Sequence, residues 1–153
     1  MSTIDLRAAL PALLPLAIEW AEAISMHAAS VGVALTDMGQ GLARKVGVQH
    51  PNQIRVAIVN DIPRPSHPML LAAANSAGLL GPDTGGITFG YSVLVRCGQE
   101  SNRLLSHEFR HVFQYEQAGS IAAFLPTYLQ QVVELGYMNA PLEIDARSHE
   151  IDG

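Results

Sequence analysis

Two histidines four residues apart, with a glutamate directly after the first, form the run His107-Glu108-Phe109-Arg110-His111. On a helix that advances about 100° per residue, His107 and His111 lie roughly 40° apart and one turn apart along the axis, so both imidazoles reach one metal ion. Glu108 falls to the side of the pair, well placed to act on a water beside that ion and poorly placed as a third ligand from the same helix. Zinc held by two imidazoles and a carboxylate keeps a coordination position open, lowers the pKa of the water there towards neutrality, and polarises a carbonyl. The implied chemistry is hydrolysis of an amide, with His107 and His111 as ligands to Zn2+ and Glu108 as general base.

The pattern fixes only three positions. With six His and eight Glu in 153 residues, independent placement produces it in about one such sequence in a hundred, so the surrounding residues must carry part of the argument. They read as a helix: Leu105, Phe109, Val112 and Phe113 cluster on the side away from the histidines, which buries the back of the helix and turns the motif towards a cleft.

A third ligand is still required. A continuation with glycine three residues after the second histidine and histidine three further on is absent, because Gln114 and Gln117 stand there. The favoured candidate is Glu143, in Ala140-Pro141-Leu142-Glu143-Ile144-Asp145-Ala146-Arg147. Pro141 suits the first turn of a helix, and Glu143 lies one turn before Ala146 and Arg147 on a shared face, where a small residue lets two helices approach. Asp145 points to nearly the opposite side. Asp145, His149, Glu150 and Glu134 are the alternatives, whereas His27, His50 and His67 share no ligand spacing with the motif. A phenol beside the metal can donate to the oxyanion of a tetrahedral intermediate. Tyr115, Tyr128 and Tyr137 are available, and Tyr137, six residues before Glu143, is the first choice for this catalytic role.

The elements that must position these groups are those of an α+β protein, a small sheet packed against several helices, with residues 1–153 forming a single domain. Hydrophobic residues make up 48% of the chain, ample for a core, and a net charge of −5 without any Lys/Arg run argues against nucleic acid or an anionic membrane as partner. Residues 6–35 are apolar but interrupted by Pro11, Pro15, Glu19, Glu22 and His27, which predicts an amphipathic core helix over 6–29 rather than a membrane span. Residues 1–5 carry no basic charge, a poor secretory signal, so a cytoplasmic location is expected. Cys97 is alone, which excludes an intramolecular disulfide; it is expected as a buried or half-buried strand residue.

Further along, Thr36 reads as the N-cap of a helix through Lys45 that Gly47 ends. Strands are expected over 54–59 and 87–96, the latter with Gly90 at a bulge or close approach, and helices over 69–78, 121–135 and from Pro141. The strand within residues 86–95, just upstream of the motif, is a candidate edge on which an extended peptide adds, and equally a plain core strand.

The motif run continued through Val112-Phe113-Gln114-Tyr115, with Gly119-Ser120, Phe124-Leu125, Tyr128-Leu129, Gly136-Tyr137 and the segment around Glu143, resembles a small, poorly characterised group of bacterial zinc metallopeptidases. More broadly it is similar to the gluzincins, zincins that take a downstream glutamate as third ligand, over about residues 85–150. The resemblance implies a zincin-like fold with the metal motif on a central helix, a peptide or protein substrate, His107, His111 and Glu143 as zinc ligands and Glu108 as base. Gluzincins often carry an aspartate four residues after that glutamate; Arg147 stands there, so another group must orient a ligand histidine. The competing expectation is a zinc-stabilised peptide- or protein-interaction module that does not cut, whose metal would be closed by a fourth protein ligand.

Overall fold

The structure, a computed structural model, describes residues 5–153. The elements follow in the order α1 (Leu6–Val31), β1 (Val33–Ala34), α2 (Asp37–Lys45), β2 (Arg55–Val59), α3 (Pro68–Ser76), β3 (Gly86–Phe89), β4 (Ser92–Arg96), α4 (Asn102–Ala118), α5 (Ile121–Leu135) and α6 (Pro141–Ser148), with a short 3-10 turn at Pro51–Gln53. This is an α+β arrangement in which, among the described residues, six helices surround one four-stranded mixed sheet.

Polar side chains set where the helices begin. Asp5, Thr36, Ser101 and Ser120 each accept a hydrogen bond from the backbone N–H three residues on, which starts α1, α2, α4 and α5. Pro11 and Pro15 lie inside α1, on exposed positions. The carbonyls they leave without a helical donor are those of Arg7 and Pro11, exposed positions themselves and so open to solvent, and the helix continues. By length and composition alone α1 is apolar enough to cross a membrane; in this structure Leu13, Ala17, Ala21 and Ala28 are its buried residues.

The strands run in the order β1-β2-β4-β3. β2 and β4 are parallel, and the two outer pairings are antiparallel. The single strand expected over 87–96 is instead a hairpin: Gly90 takes a φ of +65°, and Phe89 pairs with Ser92 across a two-residue turn. A glycine there folds the chain back where a bulge would only bend it. Cys97 is a second correction, exposed in the turn that follows β4 rather than buried in a strand.

Alternation along the strands gives the sheet two distinct faces. Val93 and Val95 pack with Ala43, Val46, Ile54, Phe109 and Val112 on the side of α2 and α4. Leu94 packs with Ala28 and Ala57 on the side of α1, where Phe89 also meets Trp20 edge-on. In β3, Gly86 and Thr88 are the residues on the α4 side, and both approach Glu108.

Candidate metal centre

α4 carries the motif with its back in the core. Phe109 and Val112 are fully buried against Val93 and Val95, leaving His107, Glu108 and His111 on the opposite side. α6 brings the third group. Ala146 is 0% exposed, so α6 approaches closely, and Gln131 of α5 accepts from the Leu142 N–H at 3.0 Å, supplying the cap that Ala140 cannot. Glu143 thereby faces α4 with only 2% of its surface exposed.

His107 Nε2 lies 3.2 Å from Glu143 Oε1, and His111 Nε2 lies 3.2 Å from Glu143 Oε2. Donor atoms of the three residues fall within 4.8 Å of one another. The remaining ring nitrogens are engaged: His107 Nδ1 meets Glu150 Oε2 at 2.9 Å, and His111 Nδ1 meets Gln114 Oε1 at 2.8 Å. The Gln114 amide nitrogen donates to Leu142 O and Asp145 Oδ2, both at 2.9 Å, which fixes its oxygen towards the histidine. An ionised Glu150 and a Gln114 oxygen only accept, so both Nδ1 atoms carry the proton. Neutral imidazoles then aim two Nε2 lone pairs at a carboxylate that already accepts the Tyr128 hydroxyl at 2.7 Å. Three acceptor groups converging on one point need protons or a cation between them, and the two-nitrogen, one-carboxylate set suits zinc.

Without metal, protons serve. Burial opposes charging His111, but the hydrogen bond to Glu143 and that carboxylate's charge outweigh it and raise its pKa to about 9. His107 is raised as well, against its own burial, first by its bond to Glu143. Burial works against the Glu143 anion too, yet its bonds to His107, His111 and Tyr128 hold it well below the usual carboxylate range.

Glu108 is 5% exposed, and its Oε1 accepts from the Thr88 hydroxyl at 2.8 Å. Gly86 permits this approach: a Cβ there would sit 3.2 Å from Glu108 Cγ and 3.2 Å from the Leu94 carbonyl oxygen. Tyr128 is the phenol bonded to Glu143. Tyr137 is half-buried near the same carboxylate, its pKa raised by burial and then by the charges of Glu143 and Glu108. Tyr115 is buried against Phe124, with ring centroids 3.9 Å apart.

The structure thus brings His107, Glu108, His111, Glu143 and Tyr137 around one cavity of about 780 Å3. It places the alternative ligands elsewhere. Asp145 pairs with Arg110 at 2.8 Å, His149 Nδ1 meets the Asp145 carbonyl oxygen at 2.8 Å, and Glu134 is exposed beside Gln130. Glu150 stands behind His107, supplying the orienting carboxylate that Arg147 cannot. Thr88, Gln114 and Tyr128 complete the site without having been assigned these roles from sequence. The spacing of Gln114, three after His111, puts its amide beside the ring, and Thr88 shares a strand face with Gly86; both signals were present. Nothing local marks Glu150.

No family model, curated protein or solved structure matches this chain.

Proposed function

We propose that the protein is a zinc-dependent peptidase of zincin-like, gluzincin type, hydrolysing amide bonds with Glu108 as general base. The observation that carries this reading is the convergence of His107 Nε2, His111 Nε2 and the Glu143 carboxylate, with both Nδ1 atoms held as donors by Glu150 and Gln114. When bound, zinc supplies a polarised carbonyl and a water whose pKa lies near neutrality.

The chain's own residues do the rest. Glu108, held by Thr88, takes a proton from the attacking water and passes it to the leaving amine. Tyr137 and Tyr128 keep their protons at neutral pH, since burial, followed by the nearby carboxylates, raises both phenols; they are donors for a developing oxyanion, Tyr128 from a position where it already donates to Glu143 at 2.7 Å. β3 adds an edge for substrate. Gly85 O accepts from Arg96 N at 2.7 Å, so ladder alternation turns the N–H and C=O of Gly86 and Thr88 away from β4, next to Glu108.

The test is elemental analysis with turnover of a peptide library. One zinc per chain, lost in Glu143→Ala, together with hydrolysis abolished in a metal-replete Glu108→Gln protein, is the expected result. Full activity in Glu108→Gln would remove Glu108 as the base. Stoichiometric zinc with a fourth protein ligand and no turnover would favour the interaction-module reading.

A further inference from the structure

The cavity at the metal cluster extends far beyond what the reacting groups need. Its volume of about 780 Å3 is that of a whole small-molecule site, and its remote wall comes from α1, α3 and α5 rather than from the motif helix. Leu13, Ala17, Leu70 and Ala73 form that wall as a cluster of their own, with Leu129 packed against it. These five side chains carry no polar atom, and all five residues lie within helices that satisfy their backbone groups, with the Leu70 N–H donating to His67 Nδ1 at the start of α3.

This composition discriminates between occupants. An extended peptide brings one N–H and one C=O per residue, and each needs a partner once it leaves water. At the sheet edge, Gly86 and Thr88 supply such partners beside Glu108. Along the five-residue wall there are none, and the one polar side-chain group packed against that cluster is the Trp20 indole N–H, a single donor, so a run of residues placed there would bury unpaired amides. A hydrocarbon chain has no such requirement.

We propose that the amide cleaved here joins a hydrocarbon acyl chain to an amino acid or peptide, with the chain lying along Leu13, Leu70, Ala73 and Leu129. This rests on the hydrolytic reading of the same site. Water's oxygen bonds to the acyl carbon, the C–N bond breaks, the proton removed by Glu108 goes to the departing nitrogen, and water's second proton stays on the new carboxyl until it passes to the amine, giving a fatty carboxylate and an ammonium group. No co-reactant besides water is needed.

The experiment uses the full chain loaded with zinc, and N-acetyl-, N-hexanoyl- and N-dodecanoyl-glycine as probes. Binding is measured by calorimetry on Glu108→Gln, and hydrolysis on wild type. Affinity should rise about fourfold per added methylene until the cavity fills, and kcat/KM should follow. Ala73→Trp, which places a large ring in the cavity, should remove the advantage of dodecanoyl over hexanoyl while zinc content stays unchanged. Ala77→Phe, at the end of α3 on the same cavity, is the second variant should Ala73→Trp fail to fold. Affinity independent of chain length, with non-acylated peptides cleaved as well as acylated ones, overturns the proposal and leaves amide hydrolysis standing. Chain-length-dependent binding without turnover in wild type supports the acyl occupant and overturns the hydrolytic reading.

Discussion

The two sides of the sheet are packed to different standards. The largest side chains with less than 2% exposure, Phe109, Ile54, Val46, Val93, Val95 and Val112, all belong to the cluster between the sheet and helices α2 and α4, with Ser106 of α4 beside them. On the other side the fully closed positions of α1 are alanines, Ala21 and Ala28, and the cavity opens between α1, α3 and α5. Close packing is concentrated behind the helix that carries the two histidines. It fixes the backbone from which ligands must converge, while the opposite wall stays free to receive a ligand. Ser106 extends this order to the C-terminal segment: its hydroxyl accepts from the Ile151 N–H at 2.8 Å, which helps keep Glu150 within reach of His107.

Stability measurements can break this contrast first. Phe109→Ala removes the largest fully buried side chain and should cost about 3–5 kcal/mol in urea unfolding. Leu129→Ala, on the cavity side and only half-buried, should cost about 1 kcal/mol. Equal losses would mean that the open side is as tightly packed in solution as the closed one.

Gly86→Ala tests the seam between the two sides. The added methyl must displace Glu108 or the Leu94 carbonyl, each 3.2 Å away, and the three atoms nearest to it all belong to these two residues rather than to His107, His111 or Glu143. Turnover should fall on the order of a hundredfold with zinc content retained, as expected when a reacting group moves by a fraction of an ångström to an ångström. Unchanged turnover would show that the Glu108 position is not set by β3.

The groups behind the ligands should matter less than the ligands and more than surface residues. Gln114→Leu leaves the His111 Nδ1–H without its acceptor in a buried site, and Glu150→Gln weakens the bond that orients His107. Each should reduce zinc affinity by about 10–100-fold by competition with a chelator, Gln114→Leu the more because its site is drier. No change in either variant would detach the ordered wall from metal binding.

How much of this was legible beforehand depends on range along the chain. The helix carrying His107 and His111 announced itself by period and spacing, and so did the candidacy of Glu143 after Pro141, because a turn of helix is a local rule. From sequence the hairpin of β3 and β4 reads as one strand, since a glycine in an apolar run signals a bend without saying how sharp. Cys97, expected as a buried or half-buried strand residue, lies exposed in the turn beyond β4. Glu150 contacts His107 across 43 positions, an encounter set by how α6 docks on α4 and by the tie from Ile151 to Ser106. Gln114 carried a readable i+3 relation to His111, but its role emerges only when Leu142 and Asp145 orient its amide. The cavity was beyond any local rule because it is a space between helices far apart in sequence.

The smallest expected effect is also the one that separates the two sides by titration. Behind α4 the buried residues of the cluster carry no titratable side chain, and the Tyr91 phenol packed against them is pushed up to about 12, by burial and then by Glu116, so this side's contribution should be flat between pH 6.5 and 9.5. The cluster in front is different in the metal-free protein. His111 has a pKa of about 9 in the folded state, above its ordinary value of 6.5, so its stabilising contribution is complete below about pH 6.5 and is lost as pH rises through 9. Glu143, held below its ordinary value of 4.5, contributes above that value and loses its contribution as pH falls towards its folded pKa. Metal-free protein should therefore melt a few degrees lower at pH 9.5 than at pH 6.5. Zinc competes with the proton for the same Nε2, so its apparent affinity should instead rise across that interval. His111→Ala should reduce the slope of the metal-free melting curve, and His107→Ala with His111→Ala should flatten it, because both imidazoles are raised by the same carboxylates. A slope that survives the double substitution would place the titrating group outside the cluster and leave the two sides alike in their response to pH.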